Sequence, residues 1–213
     1  MLKIFFYLFI VKPVMLIVSG MSVKNYELFP QEEQFIIIAN HNSHLDIMAI
    51  MALFDVAHIK KIRPVAASDY FFRNKILKWV SINLIDIIPL SRAANRAEKK
   101  HPLQDLYDAI EAGDSLVIFP EGSRGKPDEL QHFKNGIGHI ASKYPDLPIV
   151  PIVLEDTAKA LPKDEALFVP FIIKAEVKKA ITFNEIDLDV KQFVKKLEEI
   201  FQEAFKNDSP ILG

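Results

Sequence analysis

Apolar residues in this chain fall in short blocks divided by polar turns, and two of those turns carry reactive side chains. Phe35-Ile36-Ile37-Ile38-Ala39 is an unbroken apolar run, and Ser115-Leu116-Val117-Ile118 is nearly one. Short runs of this kind read as strands buried on both faces. Pro64 to Ala67, Ile85 to Leu90, Pro148 to Leu154 and Phe171 to Val177 read as further strands. Between them lie predicted helices at Leu45 to Phe54, Asn135 to Tyr144 and Leu188 to Phe205. The last has Val190, Val194, Leu197, Ile200, Phe201 and Phe205 at helical spacing and is expected to cover the sheet. Asp69 to Ile82, rich in aromatic and aliphatic residues, predicts a largely buried helix or helix pair. Asn95 is expected to be the N-cap of a helix through Ala112, with a break near Pro102 and a stop at Gly113. Lys24 to Gln34 reads as a polar connector and His58 to Arg63 as a basic stretch. Strands alternating with helices predict an α/β fold. Residues 24–213 are expected to form a single domain with a central mostly parallel or mixed sheet flanked by helices.

Residues 1–23 stand apart. Met1 to Met21 contains only Lys3, Lys12, Pro13, Ser19 and Gly20 as non-apolar residues. A spanning helix needs about 20 apolar residues, but Lys12-Pro13 interrupts the middle. A charge at the bilayer centre costs about 2.5–3.5 kcal/mol on insertion scales, and proline removes a helical donor. The segment therefore reads as a bent apolar helix docked in the membrane interface. Two alternatives compete: a secretory signal, for which no small-x-small cleavage site is evident near Val18-Ser19-Gly20, and a helix buried in the core.

Composition narrows the chemistry. A chain of 213 residues suits one domain that needs no covalent staple. There is no cysteine, which excludes thiol nucleophiles and thiolate metal sites. The formal net charge of -2 gives no argument for nucleic acid. Sixteen phenylalanines favour apolar packing or acyl-chain contact over base stacking.

The first reactive turn is Asn40-His41-Asn42-Ser43-His44-Leu45-Asp46. Five residues apart, His41 and Asp46 would sit about 140° apart on a regular helix, but a turn running into a helix lets them meet. Asp46 can then fix the tautomer of His41, leaving the other ring nitrogen to take a proton from a hydroxyl. His41, His44 and Asp46 as metal ligands are the alternative, although His-x-x-His-x-Asp is not a common ligand spacing; His44 is otherwise expected to be a half-buried wall residue. The second turn is Phe119-Pro120-Glu121-Gly122-Ser123-Arg124-Gly125. Its glycines permit close backbone approach, Arg124 offers a fork for phosphate, and Glu121 can pair with a base or accept from a hydroxyl. Lys134, at the start of a helix, and Arg92 add positive charge. Lys60, Lys61 and Arg63 read as a solvated face or a contact for phosphate or anionic lipid. Both turns follow buried strands, and open α/β sheets bind ligands beyond the carboxyl ends of their strands. The two turns are expected to form one site.

Together these residues resemble the glycerolipid acyltransferase family, which includes the 1-acylglycerol-3-phosphate (lysophosphatidic acid) acyltransferases. Asn40-His41 through Asp46 resembles its first block, His-x4-Asp. Ile85 to Arg92 resembles the second, without the glycine that usually opens it. Phe119 to Gly125 resembles the third and Val150-Pro151-Ile152 the fourth. The resemblance implies His41 as general base and Asp46 as its partner. It implies that Arg92, Glu121, Gly122, Ser123, Arg124 and Lys134 bind the acceptor, and that Val150, Pro151 and Ile152 shape the acyl site. The implied reaction moves a fatty acyl group from acyl-CoA or acyl-carrier protein to the hydroxyl of a lysophospholipid. No metal or cofactor is implied beyond the acyl-donor co-substrate, and the partners are membrane lipid and lysophospholipid. The implied location is the membrane, on the cytoplasmic face of the inner membrane. A metal-dependent hydrolase and a non-catalytic lipid-binding protein are the other classes open at this point.

Overall fold

A computed structural model describes residues 1–30, 34–67, 74–90, 101–125, 129–160, 171–186 and 188–207. Its strands, in chain order, are Ser22–Lys24 (β1), Ile36–Ala39 (β2), Ile62–Ala67 (β3), Ile88–Leu90 (β4), Ser115–Ile118 (β5), Ile149–Glu155 (β6) and Lys174–Val177 (β7). They form one sheet in the order β1-β7-β6-β2-β5-β3-β4. Every pairing is parallel except β6 with β7. The helices are Leu2–Phe6 (α1), Leu45–Ala52 (α2), Val56–Lys61 (α3), Lys75–Val80 (α4), Gln104–Glu111 (α5), Gly136–Lys143 (α6), Thr157–Ala160 (α7) and Val190–Asn207 (α8). The expected α/β fold with a mixed sheet is what forms.

The central strands are apolar throughout because both faces are covered. Ile37, Ala39, Val117, Val150 and Ile152 face a layer holding Tyr7, Val11 and Met15 together with Ile50 and Met51 of α2. Ile36, Ile38, Leu116, Ile149 and Val153 face the opposite layer, with Leu106 and Ile110 of α5, Ile137 and Ile140 of α6, and Phe193, Leu197 and Phe201 of α8. Helices α6 and α8 approach closely at Gly138, where an added Cβ would meet Val194 Cγ2 at 2.7 Å and the Val190 carbonyl oxygen at 2.9 Å. The chain leaves β2 toward β3 on one side and crosses from β5 to β6 on the other. The carboxyl ends of β2, β5 and β6 therefore converge at a reversal of strand order, where ligands bind in such sheets.

At the amino terminus, helical backbone runs from α1 through π-helical turns at Tyr7–Val11 and Val14–Val18. The widened turns flank Lys12-Pro13, where proline cannot donate to the ladder. Tyr7, Val11 and Met15 recur every fourth residue and seal the core, while Phe5, Phe9, Ile10, Leu16, Ile17 and Val18 are exposed on the other side. Both lysines turn inward. Lys3 Nζ donates to the Ile62 carbonyl at 2.7 Å and to Asp86 Oδ2 at 3.0 Å; Lys12 Nζ donates to the Phe54 carbonyl at 2.9 Å. The segment thus has a core face and an uncharged outer face. Among the described residues no helix is long and apolar enough to cross a membrane.

Several sequence expectations need correction. The stretch Asp69 to Ile82 is not largely buried where it is described: Ile76 is 78%, Trp79 52% and Ile82 44% exposed. Among the described residues nothing covers one side of helix α4. The strand expected from Ile85 begins only at Ile88, because Ser81–Ile85 continues as a π-helical turn that Asp86 ends at φ +64°. The strand expected from Phe171 starts at Lys174, with Phe171 and Ile172 exposed. The connector from Lys24 overlaps β1, an edge strand too short and too polar to show an apolar pattern, and the basic stretch from His58 lies largely in α3, capped by Asp55. The expected helix from Asn95 is seen as α5 from Gln104; residues 91–100 are outside the described set, and Gly113 ends the helix at φ +85° as expected.

Candidate active site

Strands β2 and β5 lie in parallel register with Ile38 opposite Ile118. The same offset of 80 residues carries past the strand ends to His41 and Glu121, where the His41 backbone N–H donates to Glu121 Oε1 at 2.7 Å. The Gly125 N–H donates to the His41 carbonyl at 2.9 Å. Both peptide groups of His41 are therefore held by the second turn. Its ring stacks on Phe119, centroids 4.2 Å apart and planes 21° apart.

Asp46 sits in the first turn of α2, wholly buried, where the positive end of the helix dipole favours a carboxylate. Its Oδ2 lies 2.9 Å from His41 Nδ1 and accepts the backbone N–H groups of Asn42 at 2.7 Å and Ser43 at 2.8 Å. An ionised carboxylate only accepts, so Nδ1 carries the proton and Nε2 is left with a lone pair. Residues 40–43 are not helical, which is how residues five apart come together. The His41 side chain keeps 19% of its surface exposed, enough to meet a reactant.

Glu121 is buried, and its second oxygen accepts the Gln131 N–H at 3.0 Å. Burial pushes its carboxyl above the ordinary carboxylate value, while the His41 and Gln131 amides oppose that shift. Both oxygens are thus engaged by backbone, and the side chain ties three segments together instead of facing outward. Gly122 adopts φ +76°, a conformation suited to glycine, and Lys134 Cγ lies 3.5 Å from where a Cβ there would stand. Ser123 Oγ is 3.3 Å from Gln131 Oε1, and the Lys134 N–H donates to the Pro120 carbonyl at 2.8 Å. Arg124 is half-buried in the same turn.

The structure thus gathers His41, Asp46, Glu121, Gly122, Ser123, Arg124 and Lys134 at one end of the sheet. Arg92 lies outside the described residues. Val150, Pro151 and Ile152 lie within β6, paired with Ile37, Ile38 and Ala39; Val150 and Ile152 are fully buried in the layer beneath the amino-terminal helix. His44 is exposed, not half-buried, because it precedes α2 on the outer side of the turn. Arg63 is turned inward, 3.3 Å from Asp86 and 3.5 Å from Asp114. Among the described residues no three His, Asp or Glu side chains gather in a metal-binding group.

Sequence reasoning gave no role to Asn40. Its side chain accepts from the Leu154 N–H and donates to the Leu154 carbonyl, both at 2.8 Å, extending the β2–β6 ladder by one more rung. The signal was a polar residue directly after a wholly apolar strand. Phe119, which follows β5 in the same way, was also missed as a platform for the ring.

Residues 20–155 match the sequence model of the family described as Acyltransferase. A chloroplastic 1-acyl-sn-glycerol-3-phosphate acyltransferase of Brassica napus, BAT2, is 30% identical over 132 residues, covering 59% of this chain and 34% of that protein. Its counterpart LPAT1 of Arabidopsis thaliana is 28% identical over 142 residues, 66% of this chain and 37% of that one. The chain therefore spans little more than a third of the length of these relatives. The crystal structure of the 1-acyl-sn-glycerophosphate (LPA) acyltransferase PlsC of Thermotoga maritima superposes with a TM-score of 0.72 at 20% identity, covering 91% of this chain and 73% of that one. That similarity speaks for the fold.

Proposed function

Because the chain belongs to the Acyltransferase family, we propose that it moves a fatty acyl group from a thioester donor, acyl-CoA or acyl-carrier protein, to the free hydroxyl of a lysophospholipid, with 1-acylglycerol-3-phosphate as the first candidate. The observation that carries this reading is the orientation of His41, whose Nδ1 faces Asp46 and whose Nε2 is left as a base. His41 Nε2 takes the hydroxyl proton as the oxygen attacks the thioester carbonyl. Asp46 stabilises the imidazolium that forms. The carbon–sulfur bond breaks, and the proton passes to the departing thiolate. No protein group is acylated, so a chain without cysteine can carry out every step.

Arg124 and Lys134, with Arg92, supply the positive charge that holds the acceptor phosphate and orients its hydroxyl. Gly122 lets the backbone come close, and Ser123 offers a hydroxyl at the rim. Glu121 acts through His41 and Gln131 and is a positioning residue in this scheme. Val150, Pro151 and Ile152 act through packing, since they lie inside the sheet. The uncharged outer face of residues 1–18 supports a seat on a membrane surface, where a lysolipid resides, and this reading puts the domain on its cytoplasmic side.

The test is a panel of lysolipid acceptors offered with acyl-CoA and with acyl-carrier protein, products read by mass spectrometry. A diacyl product from a phosphate-bearing acceptor is expected. His41→Ala should lower kcat about 10²–10⁴-fold with the fold intact, and Arg124→Ala should chiefly raise KM for the phosphate-bearing acceptor. Unchanged turnover in His41→Ala removes the assigned base. Lipid binding without thiol release would mark the chain as a non-catalytic binder.

A further inference from the structure

The apolar surface does not end with the amino-terminal helix. α1 packs against the Ser81–Ile85 turn that follows α4. Lys3 bolts the two together, donating to Asp86 just beyond that turn. On the outside, Phe5 and Phe9, rings 4.8 Å apart, lie on the first element, and Ile76, Trp79 and Ile82 on the second. The last three recur every third residue, a stripe along one side of the helical stretch.

Charge separates the two elements. Residues 1–18 and 74–85 contain no Asp or Glu. In the first, both lysines point into the protein, so its outer face is uncharged. In the second, Lys75 and Lys78 are exposed beside the apolar stripe. A tryptophan flanked by lysines and isoleucines suits the boundary between headgroups and acyl chains, and basic residues there are drawn to anionic lipid. A protein partner would have to leave this apolar, acid-free face to one matching surface; a bilayer supplies both apolar depth and negative charge.

We propose that residues 74–85 are a second membrane-contact element, seating Ile76, Trp79 and Ile82 in the interface of a bilayer that carries anionic phospholipid, while Lys75 and Lys78 meet its headgroups. With the amino-terminal helix it makes a two-footed platform that fixes the tilt of the domain on the membrane. The inference rests on the lipid-acyltransferase reading only in expecting a membrane.

Trp79 is the single tryptophan of the chain, so its fluorescence reports this element alone. The full chain is mixed with vesicles of phosphatidylcholine, with or without about 30% phosphatidylglycerol, a fraction chosen to give an anionic surface. Trp79 emission should shift to the blue and be quenched by lipids brominated near the top of the acyl chain. Each of Lys75→Gln and Lys78→Gln should weaken partition onto the anionic vesicles about fivefold, at about 1 kcal/mol per basic residue, with no change on neutral ones. Protein that sediments with vesicles while Trp79 stays in water overturns the proposal, as does protein that does not bind vesicles. A blue shift that depends on protein concentration without lipid also overturns it, in favour of self-association. Acyl transfer with Trp79 in water would leave the enzymatic reading standing; docking without acyl transfer would do the reverse.

Discussion

Asp46 Oδ2 holds the ring of His41 at 2.9 Å with the same atom that receives the amides of Asn42 and Ser43, so one oxygen both steers the imidazole and shapes the turn that carries it. Asp46→Asn keeps the size of the side chain and, with its amide oxygen where Oδ2 stands, all three of these hydrogen bonds, but it removes the negative charge that stabilises the imidazolium. In steady-state kinetics kcat should fall about 10²–10⁴-fold with KM little changed. A variant that keeps its kcat would mean that the charge of Asp46 does not matter.

Glu121 offers a prediction in pH. Its carboxyl is raised above 4.5 by burial, so the folded chain binds this proton before the unfolded chain does. Its contribution to stability is full below the unfolded value and is lost as pH rises through the raised folded value. Urea midpoints measured upward from pH 4.5 should therefore fall for the natural chain relative to Glu121→Gln. Activity runs the other way. Protonation removes an acceptor from the His41 or Gln131 amide, so the acid limb of kcat should flatten in Glu121→Gln, from a lower plateau. Parallel pH profiles in the two proteins would contradict this.

Gly138→Ala tests the contact of α6 with α8. The new methyl would stand 2.9 Å from the Val190 carbonyl oxygen and closer still to Val194, and backbone cannot move aside as a flexible side chain could. Overpacking of this kind costs about 1–3 kcal/mol, to be read as a lower urea midpoint at unchanged m. The higher helix propensity of alanine offsets at most about 1 kcal/mol of that.

Tyr7→Phe should go the opposite way. The Tyr7 hydroxyl is buried with no hydrogen-bond partner among the described residues, and that burial pushes its pKa up. Leaving such a group unpaired costs about 1–3 kcal/mol. Removing it should raise the thermal midpoint or leave it unchanged. A clear loss of stability would show that the hydroxyl has a partner in solution.

The parts of this fold legible in the sequence are those set by burial on two sides. Ile36 to Ile38, Leu116 to Ile118 and Ile149 to Leu154 are continuous apolar runs because helices cover both faces of the sheet. His41 and Asp46 stood out because side-chain chemistry of that kind, directly after a buried strand, has few structural uses. Asn40 and Glu121 were harder, since their partners are backbone groups far along the chain and such bonds leave no period in the sequence. Ile76, Trp79 and Ile82 misled for another reason. Apolar content says that a face avoids water, not whether protein covers it. The lysines of the amino-terminal segment hid their partners likewise: the charge of Lys12 argued against a straight span, but nothing in the sequence showed that folding turns both lysines toward carbonyls of the domain.

Three steps separate Ile38 from His41, and three separate Ile118 from Glu121. Those spacers act as a gauge, because one residue more or less in either would rotate the histidine peptide off its carboxylate. Past Asp46, the loops and helices joining β2 to β5 set neither interval, so a residue inserted among them should leave the His41–Glu121 bond in place where one inserted in either spacer would break it.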